Sequence, residues 1–296
     1  MRRRGRKERQ SLYAEVTERV IAELEEGRLP WVQPWDAGAC AMPANAASGR
    51  AYSGINVLIL WAAAIEGGFA SQLWLTYRQA EALGGHVRKG EKGTTVCYAD
   101  RFTPKAEEEQ ARDEEREARK IAFLKRFTVF NVAQCEGLPG ELTRAPEPVD
   151  EAEILPQVQA LIEASGADFR IGGGEAYYAP EADYVAVPPP GAFREPVDWH
   201  RTALHELGHW TGHKSRLGRD QSGRFGSSAY AREELVAEMA SAFTCASLSI
   251  RPSVRHADYI GSWLAVLRED ERAIFRAASA ASKAADYLLA FAPEAV

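Results

Sequence analysis

The segment His205-Glu206-Leu207-Gly208-His209 combines two imidazoles and a carboxylate at a spacing that suits a metal-dependent hydrolase. On a helix, positions i and i+4 share one face, so His205 and His209 can bind one cation. Glu206 then lies beside the ion, placed to take a proton from water there rather than to act as a ligand. Residues 199–204 contain no Pro or Gly and continue the helical pattern backward. The segment therefore predicts a zincin-type site with Glu206 as the catalytic base.

A catalytic zinc site usually has a third protein ligand, with water in the fourth position. The best source is the segment 230–240, which is rich in helix formers and carries Glu234 and Glu238 on one face. Carboxylates that face a core are costly unless a metal or hydrogen bonds satisfy them. We assign Glu234 as the third ligand and Glu238 as the hydrogen-bond partner of a ligating histidine, and the reverse assignment stays open. Glu233 is expected to point away as a solvated surface charge.

His213 follows His209 by four residues, so an uninterrupted helix would place it on the same face. Gly212 precedes it directly, and glycine in this position is typical of a helix end. The segment also lacks the longer His-x-x-Gly-x-x-His spacing of metzincins. We therefore expect His213 to be a structural or pocket-lining residue rather than a ligand.

Two imidazoles and one carboxylate predict a single divalent cation, with zinc preferred over calcium or magnesium.

The composition is that of an ordinary globular protein, with 46% hydrophobic and 26% charged residues, and 296 residues leave room for two domains. The four cysteines are scattered without a Cys-x-x-Cys pair, which argues against a cysteine zinc ribbon and favours a reducing compartment. The Arg-rich first residues precede an amphipathic segment, so we expect no signal peptide and a cytoplasmic protein, which argues against a secreted protease. The apolar run 55–65 is too short to cross a membrane, and no membrane partner is expected.

The net charge of −6 hides an asymmetry along the chain. Residues 107–117 form an acidic stretch, and we assign no function to it. Outside this stretch, the first 140 residues carry 19 basic and 12 acidic side chains, whereas residues 141–296 carry 15 basic and 23 acidic ones. A basic module joined to an acidic one indicates that the N-terminal part meets a polyanion.

Hydrophobic periodicity predicts an α+β fold in two domains. We place a first α+β domain at residues 1–138, a Pro-rich linker at 139–150 and a mostly helical second domain at 151–296. The predicted helices span residues 10–27, 56–66 and 76–83, and the predicted strands span residues 94–101, 125–132 and 184–187.

The first domain interleaves aromatic and basic residues. Residues 85–93 add a Gly-punctuated basic loop that can bring cations close to phosphate. Aromatic rings that stack bases, beside cations that follow a backbone, are what a single-strand binder needs. The alternative interpretation makes the tryptophans core residues and the loop a hairpin turn. The predicted DNA-binding residues are Trp31, Trp35, Arg50, Tyr52, Trp74, Tyr77, Arg88, Lys89 and Lys92.

Taken together, these segments resemble the ArdC family of antirestriction proteins from conjugative plasmids. The resemblance lies in Pro30-Trp31, Pro34-Trp35, GRAYSGIN at 49–56, WLTY at 74–77, VRKGEKG at 87–93, FNV at 130–132, HELGHWTGH at 205–213 and EELVAE at 233–238. It implies an N-terminal single-stranded-DNA-binding domain, a C-terminal zincin-like metallopeptidase domain, and protection of incoming plasmid DNA from host restriction. It also implies related domains in larger plasmid primases and phage polyvalent proteins.

Two function classes follow. In the first, the protein is a metallopeptidase of the HExxH (gluzincin-like) type, which the DNA-binding domain delivers to a protein target such as a host restriction component. In the second, it is a single-stranded-DNA-binding shield whose metal site is structural or vestigial. The intact Glu206 favours retained chemistry, because a structural site has no use for a general base.

Overall fold

The structure is a computed structural model that describes residues 11–32, 41–102, 112, 121–144, 151–251 and 259–293. The chain has the α+β class that the sequence predicts, in a two-part architecture whose C-terminal part is mostly helical. The acidic stretch 107–117 lies almost wholly outside the described residues. Among the described residues, no helix is both long and apolar enough to span a bilayer. The three cysteines described, Cys97, Cys135 and Cys245, are buried free thiols.

The elements of the N-terminal part are α1 (Leu12–Glu25), β1 (Ala44–Asn45), α2 (Ile55–Glu66), β2 (Leu73–Leu75), α3 (Tyr77–Ala82), β3 (His86–Val87), β4 (Thr94–Phe102), β5 (Ile121–Asn131) and β6 (Cys135–Glu136). The three helices pack against a mixed sheet with the strand order β1-β2-β5-β4, and β3 and β6 form a separate pair. The three predicted helices and the two long predicted strands are confirmed. Gly27, with φ at +74°, follows the end of α1, and a capping box between Thr76 and Gln79 starts α3.

The elements of the C-terminal part are α4 (Gly140–Thr143), α5 (Glu151–Ala164), β7 (Asp168–Ile171), β8 (Tyr177–Ala179), β9 (Tyr184–Val187), α6 (Pro196–Trp210), α7 (Ser228–Ser247), α8 (Ile260–Glu269) and α9 (Ala273–Leu289). The three strands form a small sheet with the order β7-β9-β8, which packs against the helices. The strand expected at 184–187 is confirmed as β9, whereas β7 and β8 were not predicted, because they are short and none of their residues is buried.

Helix α7 is the centre of the C-terminal part. Its residues 233–246 are buried without interruption, and α6, α8 and α9 pack around it. A helix that is covered on all sides has no solvent face, so every polar side chain on it needs a partner. This requirement governs the carboxylates that α7 contributes to the candidate site.

The two parts of the chain share one hydrophobic core. Trp31 packs edge-to-face on Trp263 of α8 at 5.4 Å between ring centroids, and Trp61 of α2 packs on Phe243 of α7 at 5.6 Å. The N-terminal helices are therefore held against the helices of the second part. The linker expected at 139–150 contains α4, and its residues 145–150 lie outside the described part, so the domain boundaries stay predictions.

Candidate functional site

Helix α6 carries the two histidines of the motif. Pro196 occupies its first turn, where a missing N–H costs nothing, and the helix ends at Trp210, one residue after the second histidine. Gly208 faces the backbone of α7, and a Cβ at that position would lie 3.4 Å from the carbonyl oxygen of Ala237. The glycine lets α7 approach closely enough for its carboxylates to reach the imidazoles of α6.

His205, His209 and Glu234 converge in the gap between these two helices. The Nε2 atom of His205 lies 3.6 Å from Oε2 of Glu234, and Nε2 of His209 lies 3.5 Å from Oε1 of the same carboxylate. All three donor atoms lie within 4.8 Å of one another. Two ligands about 2.1 Å from one tetrahedral ion lie about 3.4 Å apart. The spacing therefore fits a divalent cation at the three residues singled out from the sequence.

Glu206 lies in the same gap and is buried, with 6% of its surface exposed. Burial raises the pKa of this carboxyl, and the neighbouring Glu234 raises it further. The imidazoles of His205 and His209 and a hydrogen bond with the backbone of Tyr178 act in the opposite direction. A carboxylate with a raised pKa is a better proton acceptor than an exposed one, which suits the role of general base.

The charges around His209 are arranged for a cation. Burial lowers the pKa of its imidazole, but the carboxylates of Glu233 and Glu234 outweigh burial and raise this pKa to about 10. For Glu234 itself, burial raises the pKa, and the imidazoles of His205 and His209 outweigh burial and lower it well below the usual range. The carboxylate of Glu234 is thus charged and ready to bind a positive ion.

The expectation that Glu233 is a solvated surface charge is wrong. This side chain is buried, and its Oε1 lies 3.2 Å from Nδ1 of His209. Arg219 forms a two-point ion pair with the same carboxylate at 2.7 and 3.0 Å, and Gln221 donates to it at 3.2 Å. Because residues 233–246 of α7 are buried, the carboxylate of Glu233 is paired with neighbouring side chains, and it holds the ring of His209 in place.

Glu238 and His213 lie close to where the sequence places them. The Oε1 atom of Glu238 lies 3.7 Å from Nδ1 of His205, on the side of the ring that faces away from Glu234, which is an ion-pair distance and longer than a hydrogen bond. His213 lies beyond the end of α6, and its Nδ1 is 2.7 Å from Oγ of Ser215. Among the described residues, His213 is not part of the group that can hold a metal.

A cleft of about 460 Å³ opens onto these residues. Its walls include Tyr178 of β8 and a pair of tyrosines, Tyr230 and Tyr259, whose hydroxyl oxygens are 3.2 Å apart. Phe225, which is 81% exposed, packs on Tyr230 at 5.3 Å between ring centroids. Sequence reasoning missed these aromatic residues because they come from distant segments and share no motif with the histidines. Glu206 is among the residues that line the cleft.

In the N-terminal part, two of the expected stacking residues belong to the core. Trp31 and Trp74 are both 0% exposed, so neither indole can present a face to a base. Their placement on a binding face is therefore corrected, and the alternative interpretation of tryptophans as core residues holds for both. The third tryptophan of the set, Trp35, lies outside the described residues.

The remaining predicted DNA-binding residues are distributed over the surface of the N-terminal part. Arg50, Lys89 and Lys92 are exposed, and Tyr77 at the start of α3 is 50% exposed. Arg88 is ion-paired with Glu91 at 2.6 Å, which neutralises part of the loop at 85–93. Tyr52 is half-buried, and burial raises the pKa of its hydroxyl.

An aromatic and basic surface on the β4–β5 hairpin was not among the predicted sites. Tyr98 and Phe127 are 57% and 47% exposed and pack edge-to-face at 6.2 Å between ring centroids. Lys125 is the cross-strand partner of Tyr98 and lies on the same face of the hairpin. Alternation along the two strands could have indicated that these side chains face one way, but only the strand register shows which residues meet.

Two protein-family models match separate parts of the chain. The model of the N-terminal domain of anti-restriction factor ArdC matches residues 10–130, and the model of a zincin-like metallopeptidase matches residues 156–280. A protein named y4eC from Sinorhizobium fredii (strain NBRC 101917 / NGR234) is 44% identical, over 94% of this chain and 91% of its own length. A DNA primase TraC from Escherichia coli is 40% identical over 94% of this chain, which spans only 27% of that primase.

The metal-free crystal structure of the antirestriction protein ArdC from plasmid R388 matches with a TM-score of 0.81 and 43% identity, over 95% of this chain and 98% of that one. The chain belongs to the ArdC family. The resemblance drawn from the sequence motifs is thereby confirmed. The Mn(II)-bound structure of the R388 protein matches with a TM-score of 0.79 and 41% identity, over 96% of this chain and 99% of that one.

For this ArdC family member, fold and geometry together support a divalent metal in the zincin-like part. Three donor atoms of the right chemical types converge at the spacing that an ion requires. Glu233 and Glu238 lie beside the imidazoles on the sides that face away from Glu234, and Arg219 is paired with Glu233. Such outer contacts orient the ligands and increase their basicity.

Replacing Glu233 with Gln should weaken metal binding by about 10- to 100-fold, the usual effect of losing an outer partner of a ligating histidine. The amide keeps the size of the side chain but removes the charge that pairs with Arg219 and His209. Metal affinity is measured by competition with a chromogenic chelator. A matched control is Glu269→Gln, which removes an exposed carboxylate whose partner is Arg232. Equal affinities for the Glu233 variant and the wild type would contradict the orienting role.

Proposed function

We propose that this ArdC family member is an antirestriction protein that binds single-stranded DNA and cleaves a protein target in a metal-dependent reaction. The observation that carries the proposal is the position of Glu206. Its buried carboxylate lies beside His205, His209 and Glu234, at the base of a cleft that is open to solvent. A purely structural ion needs neither a general base nor a cleft.

The residues of the cleft have distinct tasks in this proposal. A bound divalent cation would polarise the carbonyl group of a peptide and lower the pKa of water at the site. His205, His209 and Glu234 hold that cation, and Glu233 and Glu238 orient the two imidazoles. Glu206 accepts a proton from the attacking water and passes it to the leaving amine. The burial that raises the pKa of Glu206 makes its carboxylate a stronger acceptor for the proton of the water.

Zinc is the ion that we propose for this site, since two imidazoles and one carboxylate are its usual ligands in hydrolases. Manganese is the ion in the Mn(II)-bound structure of R388 ArdC and is the direct competitor. Elemental analysis of the protein purified without chelators distinguishes between the two ions.

The N-terminal part supplies the proposed DNA contact. Lys89 and Lys92 are exposed on the loop at 85–93, and Tyr77 and Arg50 lie on neighbouring segments. The turn at 45–50 is tied to the start of α3, because Asn45 and Gln79 exchange hydrogen bonds at 3.0 and 3.2 Å. Exposed cations next to an exposed aromatic ring are suited to a single strand, whose bases are free to stack.

Two changes in this surface should have different signatures. Tyr77→Ala should weaken binding of a single strand by about 1–3 kcal/mol at any salt concentration, because it removes a stacking ring. Lys89→Gln/Lys92→Gln should instead reduce the salt dependence, by about 0.7 in the log–log slope for each phosphate that is no longer bound. Fluorescence anisotropy at several salt concentrations measures both effects. A slope that stays at the wild-type value in the double variant would remove this loop from the interface.

Plasmid transfer into a restricting host tests the proposed function. The wild type should raise the survival of the incoming plasmid, and Glu206→Gln should abolish that protection while single-strand binding is retained. The second candidate, a DNA-binding shield, is favoured by the exposed cations of the N-terminal part and makes the opposite prediction. Under that alternative, Glu206→Gln protects as well as the wild type, and Lys89→Gln/Lys92→Gln does not.

A further inference from the structure

A second basic site lies where the two parts of the chain meet. A pocket of about 750 Å³, here called the junction pocket, is formed by α1, the loop 216–219 after the metal-site helix, and α9. Five of its ten lining residues are cationic and none is acidic. The cations are Arg216, Arg219, Arg272, Arg276 and Lys283. Residues 141–296 carry a net negative charge, so such a concentration of positive charge is exceptional in this half of the chain.

The cations of the junction pocket differ in their availability. Arg216 is held by Asp183 and Arg219 by Glu233, so these two guanidinium groups form the wall of the pocket. Arg272 and Lys283 are exposed, and neither forms an ion pair within the part of the chain that the structure describes. Two unneutralised cations thus face the solvent of a concave surface, an arrangement that favours an anionic ligand.

Three of these cations and a serine lie along one side of α9. Arg272, Arg276, Ser279 and Lys283 are spaced by four, three and four residues, which places them in one row along α9. The row is about 16 Å long at 1.5 Å for each residue. Arg276 is paired with Asp270 at the first turn, and Ser279 adds an exposed hydroxyl in the middle. A row of separated cations matches a ligand with regularly repeated negative charges better than it matches a single small anion.

Two aromatic side chains accompany this row. Tyr13 of α1 packs edge-to-face on Phe275 of α9 at 4.7 Å between ring centroids, and both rings are partly exposed. The guanidinium group of Arg272 lies over the ring of Tyr13 at 4.8 Å. Aromatic rings beside cations are typical of surfaces that bind single-stranded nucleic acids.

The junction pocket also continues toward the proposed DNA-binding residues of the N-terminal part. The backbone N–H of Gly54 donates to Oγ of Ser282 on α9 at 2.8 Å, and a Cβ on Gly54 would lie 4.0 Å from Cα of Ser279. Arg50 and Tyr52 immediately precede this contact in the chain. The segment that follows Arg50 therefore lies directly against α9.

A groove on another side of the molecule shows the contrast. This groove, of about 800 Å³, runs between α1, α2 and the loop at 85–93, and its lining includes three cations and four carboxylates. Two of the cations are neutralised by direct pairs, Arg19 with Glu66 and Arg88 with Glu91. The ionisable side chains that line this groove are of both signs, whereas those that line the junction pocket are all cationic.

We propose that the junction pocket binds the phosphodiester backbone of single-stranded DNA, so that the zincin-like part contributes to DNA binding. The proposal rests on the proposed DNA-binding function and extends it to a surface outside the N-terminal part. Arg272 and Lys283 contact phosphates, Arg276 and Ser279 lie between them, and Tyr13 and Phe275 offer ring surface to a base. The row of charges along α9 and the aromatic pair favour a nucleic acid over an acidic peptide.

The test is the double variant Arg272→Gln/Lys283→Gln, measured by anisotropy with labelled oligo(dT). Removing two cations that bind phosphate should lower the slope of log affinity against log salt by about 1.4. The variant should then bind about tenfold more weakly than the wild type near 0.15 M salt and about as tightly as the wild type near 1 M salt. The matched control is Lys214→Gln/Arg194→Gln, which removes the same charge from exposed positions of the same part outside the pocket. Both exchanges are at the surface, and thermal unfolding verifies that both variants are folded.

The outcomes separate the proposal from the proposed function. The junction-pocket proposal is overturned if the Arg272→Gln/Lys283→Gln variant keeps the wild-type affinity and salt slope, or if the control variant loses as much affinity. In either case, weaker binding by Lys89→Gln/Lys92→Gln would still support the proposed DNA-binding function. A wild type that binds no oligo(dT) overturns both. Competition decides the ligand: displacement of oligo(dT) by poly-glutamate or inorganic phosphate at equal charge would show a general anion site and overturn the assignment to DNA.

Discussion

Replacing Glu206 with Gln is expected to lower metal-dependent peptide hydrolysis by about 10²–10⁴-fold, the usual contribution of a positioned general base. The amide has the size of the carboxylate and leaves the packing of α6 on α7 intact, but it cannot accept a proton. Because the three metal-binding residues are untouched, metal content should stay at the wild-type level. The measurement is the turnover of a quenched-fluorescence peptide library by the metal-loaded protein.

A glutamate on the rim of the same cleft provides the control for this variant. Glu181 is exposed and lines the cleft, so Glu181→Gln removes one negative charge without touching the buried carboxylates. Its turnover should stay within a fewfold of the wild type. If Glu206→Gln and Glu181→Gln retain equal turnover, Glu206 is not the base, and the cleft does not act as a hydrolase in the way proposed.

Replacing His205 with Ala is expected to remove the bound metal almost completely. The imidazole supplies one of the three donor atoms, and a site with two protein ligands binds a divalent ion far more weakly. In the wild type, metal at about 100 times its Kd should stabilise the fold by about 2.7 kcal/mol, and the variant should lose this gain. Elemental analysis and thermal unfolding with and without metal measure the two effects.

Three variants make the assignment of the metal ligands specific. His200→Ala is the matched control, since this residue lies on the same helix with its Nδ1 bonded to the backbone of Pro196 and should bind metal normally. Glu234→Gln should lose metal as His205→Ala does, whereas Glu238→Gln should weaken binding by only about 10- to 100-fold. The reverse order for the two glutamates would exchange their roles, and full metal occupancy in His205→Ala would refute the site.

The affinity of the site for metal should depend on pH. In the metal-free protein the pKa of His209 is raised to about 10, so its imidazole carries a proton throughout the neutral range. That proton must leave before the ring can ligate, because only the neutral imidazole binds a metal. Metal affinity should therefore rise with pH below that pKa, by about tenfold for each pH unit and each proton displaced. Calorimetry in two buffers of different ionisation enthalpy counts the protons that are released.

The parts of the site that could be predicted from the sequence are those that one or two helical turns specify. Residues His205 and His209 share a face of α6 because the helical repeat is local, and Thr76 and Gln79 start α3 because a capping box needs only four residues. Alternation along the chain predicts the strands β4 and β5 but not their register. The expected solvent exposure of Glu233, Trp31 and Trp74 is wrong, since local pattern carries no information on what covers a side chain.

By itself, the sequence determined the α+β class, the helix with its two imidazoles and the carboxylate between them, and the family, because these depend on short-range spacing and on the order of motifs. Only the tertiary structure decided that Glu234 faces both imidazoles, that Glu233 is paired with His209 and Arg219, and that cations of α9 meet α1 in the junction pocket. The physical reason is the same in each case: burial and electrostatic pairing depend on segments far apart in the chain, and these meet only when the core is formed.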